Sequence, residues 1–170
     1  MKLYRFSPIQ NKNELLKASK HIHFYCSKLC YKDFNKYLPV AGNIGVFSHY
    51  KNEFEFLTKL GEELTDHSAV SFNGKYFRLY EPIIIEAKND IPGAIYEYLY
   101  IRQPDRFRPQ VGDADFVIDE HEYKKIEKLT IVNDVEIFNR PTLNACELFN
   151  PDFDILAYLT TKTVAETIGA

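Results

Sequence analysis

Tryptophan is absent from these 170 residues, methionine occurs once and cysteine three times. So few cysteines, odd in number, build no disulfide framework, and the fold must be held by its core. Glycine (7) and proline (8) are too scarce for a collagen-like or low-complexity chain. No apolar run approaches the roughly 18 residues of a membrane-spanning helix; the longest purely aliphatic run is Ile83-Ile84-Ile85. The opening Met1-Lys2-Leu3-Tyr4-Arg5 has no apolar signal-peptide centre. Together these absences read as a cytoplasmic protein with no membrane partner.

What is present is aromatic and aliphatic bulk. Thirteen phenylalanines, twelve tyrosines and 45% hydrophobic residues exclude a disordered chain. The length suits one domain over residues 1–170, large enough to bury a core unaided. A net charge of −3 excludes a globally basic nucleic-acid binder. The charge is uneven, however: residues 1–36 carry eight Lys and Arg against Glu14 and Asp33, a net of +6, leaving −9 elsewhere. Arg102, Arg106 and Arg108 also fall within seven residues, although the whole chain has six arginines. Planar guanidinium groups concentrated in this way suit bidentate recognition of phosphate or carboxylate.

Hydrophobic spacing gives the elements. Residues 2–9 alternate as a strand. From Asn13 to about Tyr31 the spacing predicts an amphipathic helix, with Leu15, Ala18, Ile22, Cys26 and Leu29 inward and Lys17, Lys20, His21 and Lys28 outward. Residues 43–48 read as a buried strand, and Asn52-x-x-Glu55 as a capping box opening a second helix. Asn73-Gly74 is a hairpin turn between 69–72 and a strand from Lys75 toward Glu86, bent or placed at an edge by Pro82. Residues 94–102, with tyrosine at every second position, read as a strand, a helix being the competing reading. Residues 103–112 form a loop, 113–118 a strand, and Asp119-x-x-Glu122 caps a third helix. A hairpin around Asn133-Asp134 and one or two terminal helices, one starting at Asn150-Pro151, complete an α+β domain. Its sheet is mostly antiparallel or mixed, with about four helices in one layer. No internal repeat is visible.

Five groups of residues could carry chemistry. Asp113 and Asp115 share one face of a strand and could hold Mg²⁺; the string resembles the Asp-h-Asp-h element of nucleotidyltransferases but lacks their upstream Gly-Ser. Glu86-x-Lys88, after an apolar strand, resembles half of the Asp…Glu-x-Lys arrangement of nucleases, which implies catalytic roles for Glu86 and Lys88 beside a metal. Tyr98 and Tyr100, with Tyr96, could stack on bases beside Arg102, Arg106 and Arg108. His49 precedes a helix start and could act as an acid or base. His23, Cys26, Cys30 and Cys146 could make a zinc site, although buried thiols more often pack in a core.

The expectation is therefore a protein that binds a phosphate-bearing ligand, a nucleotide or a single nucleic-acid strand. If it is an enzyme, it is a Mg²⁺-dependent nuclease or nucleotidyltransferase-like protein with no organic cofactor. The alternative is a non-catalytic interaction or homo-oligomeric module whose basic N-terminal helix docks an acidic protein or a second copy.

Overall fold

The structure, a computed structural model, describes residues 4–71, 73–129, 135–139 and 144–168. In chain order the elements are α1 (Lys12–Phe34), β1 (Val40–Phe47), α2 (Lys51–Glu63), β2 (Thr65–Ser71), β3 (Gly74–Ile85), β4 (Ala94–Arg102), β5 (Gly112–Val117), α3 (Glu120–Leu129), β6 (Val135–Asn139), β7 (Asn144–Leu148), β8 (Leu156–Thr160) and α4 (Val164–Ile168). The fold is α+β, as the patterning predicts. The eight strands form one mixed sheet in the order β2-β3-β4-β1-β5-β8-β7-β6.

That order contains the same unit twice. In the first half β1 runs into α2, then β2, β3 and β4; β4 returns parallel to β1, and β3 and β2 add antiparallel beyond it. In the second half β5 runs into α3, then β6, β7 and β8; β8 returns parallel to β5, followed by β7 and β6. A parallel return needs a long crossover, which each half makes through its helix and two strands. The halves join where β1 pairs antiparallel with β5, Gly45 facing Asp113 and Ile44 facing Ala114. The internal repeat is one of topology, and no sequence similarity between the halves betrays it.

The three longest helices share one sheet face. Leu15, Ala18, Ile22, Cys26 and Leu29 of α1 pack with Ile44, Val46, Leu99, Ile101, Ala114, Phe116, Ala157 and Leu159, while Leu57 of α2 and Tyr123 and Ile126 of α3 join the same core. Each leucine, isoleucine, valine or phenylalanine among them contributes roughly 1.5–3 kcal/mol on burial. Helix α1 is fixed at both ends: Asn11 accepts from the Glu14 amide, and Asn35 closes it in the left-handed region at φ 56°. Its buried stripe is the one that the sequence predicts.

Several local expectations are corrected. Residues 4–9 lie as bends, not a strand, because their polar contacts go to side chains instead of a neighbouring strand: Glu53 accepts from the Ile9 amide, and Ser7 meets His49. Helix α2 begins at Lys51, and Glu53, not Glu55, reaches back to cap the His49 amide. Residues 94–102 are a strand, and a hairpin joins β2 to β3 as expected, but Gly74 is already the first residue of β3, paired with Ser71, and does not lie in the turn. The hairpin placed at Asn133-Asp134 lies outside the described residues. Asn150-Pro151 opens a turn, not a helix, with Asn150 accepting from the Asp152 amide. Asp154 in the following segment ties three parts of the chain together, accepting from Arg5 Nε at 2.6 Å and meeting His21 Nε2 at 2.7 Å.

Burial works to raise the Asp154 pKa, but the hydrogen bonds and charges of His21 and Arg5 outweigh it and hold the group at about 2. A depressed carboxyl pKa contributes stability that is present above the unfolded value of 3.8 and is lost as pH falls toward 2. Asp154→Asn should therefore lower the unfolding free energy by roughly 1–2 kcal/mol at pH 6, after allowance for its partial exposure. In urea titrations that deficit should shrink steadily between pH 4 and pH 2; a deficit that stays constant would show that the ion pairs contribute nothing.

Candidate functional site

On the opposite sheet face the alternation of the strands places a different set of side chains. Phe47 clusters with Ala145, Leu156 and Tyr158, and Ala41 with Tyr98 and Val164 of α4. Between these patches runs a polar row that crosses both halves. Tyr98 on β4 is the register partner of Asn43 on β1, whose amide donates to Asp115 Oδ2 on β5 at 3.3 Å. Asp115 is opposite Tyr158 on β8, and Tyr158 is opposite Glu147 on β7 and donates its hydroxyl to it at 2.6 Å. Arg108, from the loop that joins the halves, donates to the other oxygen of Glu147 at 2.8 Å. Asp113, two residues before Asp115, occupies the same face.

This row is buried. Asp113, Asp115 and Glu147 are 6%, 8% and 3% exposed. Withdrawing a carboxylate from water costs several kcal/mol unless charges or hydrogen bonds offset it. Hydrogen bonds from Asn43 to Asp115 and from Tyr158 and Arg108 to Glu147 supply part of that compensation. Their field adds to burial in raising the Tyr158 phenol far above its ordinary pKa, with Asp113 and Glu147 both contributing. Asn43, 2% exposed, keeps its amide oxygen without a hydrogen-bond partner while its nitrogen serves Asp115. Gly45 is what lets Asp113 lie flat against the seam: a Cβ there would meet Asp113 Oδ1 at 2.1 Å.

The structure brings some of the predicted site residues together and separates others. Asp113 and Asp115 share a face, as their spacing predicts. Tyr98 and Tyr100 lie on β4 with them, but Tyr96 does not join them. The register of β3 against β4 shifts between Arg78 and Ile83, across Pro82, and Tyr96 turns into the helix-covered core, where its hydroxyl meets His23 Nδ1 at 2.7 Å. The tyrosines are 0–5% exposed and offer no stacking platform. The arginines are separately engaged: Arg102 with Asp105 at 3.3 Å, Arg108 with Glu147, and Arg106 over the exposed Phe107 ring at 4.7 Å.

Glu86 and Lys88 follow the end of β3, are exposed, and lie far along the sheet from the polar row; Lys88 makes only a backbone bridge to Ile91. The aspartate on the neighbouring strand, Asp66 of β2, lies beside Arg78 and Leu79, several residues along β3 from Glu86. His49 is half-buried, set between Ser7 Oγ at 2.6 Å and the Gln110 carbonyl at 2.9 Å beneath the Tyr4 ring. Burial lowers its pKa. Cys26, Cys30 and Cys146 are buried, and burial pushes the Cys26 and Cys30 thiols well up, which fits the core-packing reading of these residues. Among the described residues no three His, Cys, Asp or Glu side chains gather into a metal cage. Asn43, Glu147 and Tyr158 were not legible as site residues; their signal is a polar residue at an inward position of an apolar strand, visible only once the strands are paired.

No helix among the described residues is long and apolar enough to cross a membrane. No protein-family model matches the chain, and no curated protein matches it. A solved structure similar to it is that of the fosfomycin resistance protein FosX from Mesorhizobium loti, at 17% identity over 73% of this chain and 93% of that one, with a TM-score of 0.26. At that score the likeness assigns neither fold nor function. The geometry overturns the expectation of a phosphate-bearing or nucleic-acid ligand with phosphodiester chemistry: the arginines do not converge, the tyrosines are buried, and the row they border is acidic.

The Gly45–Asp113 contact makes a direct prediction. Gly45→Ala should drive the Asp113 carboxylate from its seat at a cost of about 1–3 kcal/mol, read from urea unfolding. Ala114→Gly on the helix-covered face should destabilise to a similar degree without moving that carboxylate, as the Asp113 side-chain NMR signal would report. An unchanged Asp113 signal in Gly45→Ala would contradict the packing.

Proposed function

We propose that the chain binds a small molecule together with a divalent cation on the second face of its sheet, at the seam between β1 and β5. The observation that supports this reading is the buried row itself: Asn43, Asp115, Tyr158 and Glu147, drawn from four strands of both halves, with Asp113 beside them. Asp113 and Asp115 with the Asn43 amide oxygen are an all-oxygen donor set, which suits a hard dication such as Mg²⁺ or Mn²⁺. Such ions are commonly held by one or two carboxylates and keep their other positions for water or a ligand. The unpartnered Asn43 oxygen fits that use. A bound dication would polarise a ligand oxygen and neutralise the negative charge of the row.

The other members of the row have their own tasks. Tyr158 gives its hydroxyl proton to Glu147, which leaves the phenol oxygen to accept a hydrogen bond from a bound ligand. Arg108 holds the Glu147 carboxyl in place. The loop 103–111 and α4 border the face, so ligand entry requires one of them to yield.

The reading is tested by thermal unfolding in EDTA and in excess Mn²⁺. A cation at a hundred times its Kd adds about 2.7 kcal/mol, which for a chain of this size raises the midpoint by roughly 5–10 °C. Asp115→Asn should melt no lower than the parent in EDTA, since it removes a buried charge, yet lose most of the Mn²⁺ shift. No shift in the parent, or a full shift retained in Asp113→Asn and Asp115→Asn alike, would overturn it.

A further inference from the structure

At one end of the second face, Arg102 closes β4 opposite Phe47 on β1. Its guanidinium lies 5.2 Å from the Phe47 ring centroid, and Phe47 continues into the apolar floor of Leu156, Ala145 and Tyr158. The polar contacts of that guanidinium are incomplete. Nη2 reaches Asp105 Oδ2 at 3.3 Å, a long contact for an ion pair. The Asn73 amide, turned with its oxygen toward Arg102, accepts from Nη1 and Nη2 at 3.3 Å each. Nε is buried and has no hydrogen-bond partner. A buried unmade hydrogen bond costs about 1–3 kcal/mol, more for a charged group. A guanidinium presents Nε and Nη2 side by side as the fork that a carboxylate fills with both oxygens.

We infer that Arg102 is the seat for the carboxylate of a small monoanionic ligand with an apolar body, and that Asp105 holds this seat in the ligand's absence. The inference rests on the reading of the second face as a small-molecule site and names the class of molecule that it takes. Asp105 is placed to yield: it is one-third exposed, sits on the loop rather than the sheet, and is also held by the Phe107 amide at 2.9 Å, a contact it can keep after leaving Arg102. The exchange conserves charge, one carboxylate replacing another on the same cation. A monoanion is favoured over phosphate because Asp113, Asp115 and Glu147 are buried on this face, and a dianion would meet them without a second guanidinium beside Arg102, Arg108 being committed to Glu147 and Arg106 lying over the exposed Phe107 ring. The floor of Phe47, Leu156 and Ala145 gives the rest of the ligand an apolar contact.

The experiment is calorimetric titration of the whole chain with benzoate, benzamide and inorganic phosphate in EDTA, so that no cation takes part. Benzoate should bind and benzamide should not. Asp105→Asn should tighten benzoate binding about 5–10-fold by removing the competing carboxylate. Arg102→Gln should weaken it at least 10-fold, and Arg102→Lys should weaken it too while keeping the charge and the melting temperature, which separates a lost fork from a lost fold. Equal binding by the parent and Arg102→Lys, weaker binding by Asp105→Asn, tighter binding of phosphate than benzoate, or no benzoate binding at all would each overturn the inference. A parallel Mn²⁺ titration tells the two readings apart: Mn²⁺ binding without benzoate binding removes this inference alone, and the loss of both removes the site.

Discussion

The antiparallel pairing of β1 with β5 is the contact on which the rest of this structure depends. It joins two βαβββ halves that would each leave an open strand edge, and it carries the sheet without a break from β2 to β6. Exposed edges of that kind are sites of uncontrolled pairing, and here each half covers the edge of the other. The seam is narrow because Gly45 faces Asp113 and Gly112 faces Val46. A side chain at Gly112 would meet the Gly45 carbonyl at 2.1 Å and Ile22 of α1 at 2.6 Å, so the same glycine also lets the central helix close on the sheet.

Because the seam is tight, its two faces can differ completely. On one, Ile44, Val46, Ala114 and Phe116 meet α1, and burial of aliphatic area supplies the stability. On the other, the intervening positions of the same strands bring Asn43, Asp113 and Asp115 together, and the energetic sign is reversed. Strand alternation thus turns one pair of strands into both the core and the site. A carboxylate row that weakens the empty protein makes sense where a ligand or cation later offsets it, the usual trade between stability and function.

Much of the architecture was legible from local signals. The buried stripe of α1, the β2–β3 hairpin and the Asp119 cap depend on residues near in sequence, and the structure keeps them, with Gly74 shifted from the turn into β3. The α+β class followed from the same signals. What failed was whatever depends on long-range pairing. The halves repeat in topology but share no visible sequence similarity, because many side chains satisfy one burial pattern. Tyr96, Tyr98 and Tyr100 alternate perfectly in sequence, yet a register shift across Pro82 sends the first to the core. The arginines are close in sequence, but each finds a different partner, since loop neighbours diverge once their anchors are separate strands. Of the candidate site, Asp113 and Asp115 were visible as a pair; Asn43, Glu147 and Tyr158 became visible only through pairing across four strands.

The central claim is that a dication belongs at the seam and not elsewhere on an acidic protein. Paramagnetic broadening of the backbone amide NMR spectrum by substoichiometric Mn²⁺ tests this most directly, because the effect falls steeply with distance from the ion. The account predicts that the amides of Asn43, Gly45, Asp113, Ala114 and Asp115 broaden first and together, while the exposed acids Glu62, Glu63 and Glu120 stay sharp. Broadening that begins at those surface acids, with the seam untouched, would show that the buried row serves the fold alone.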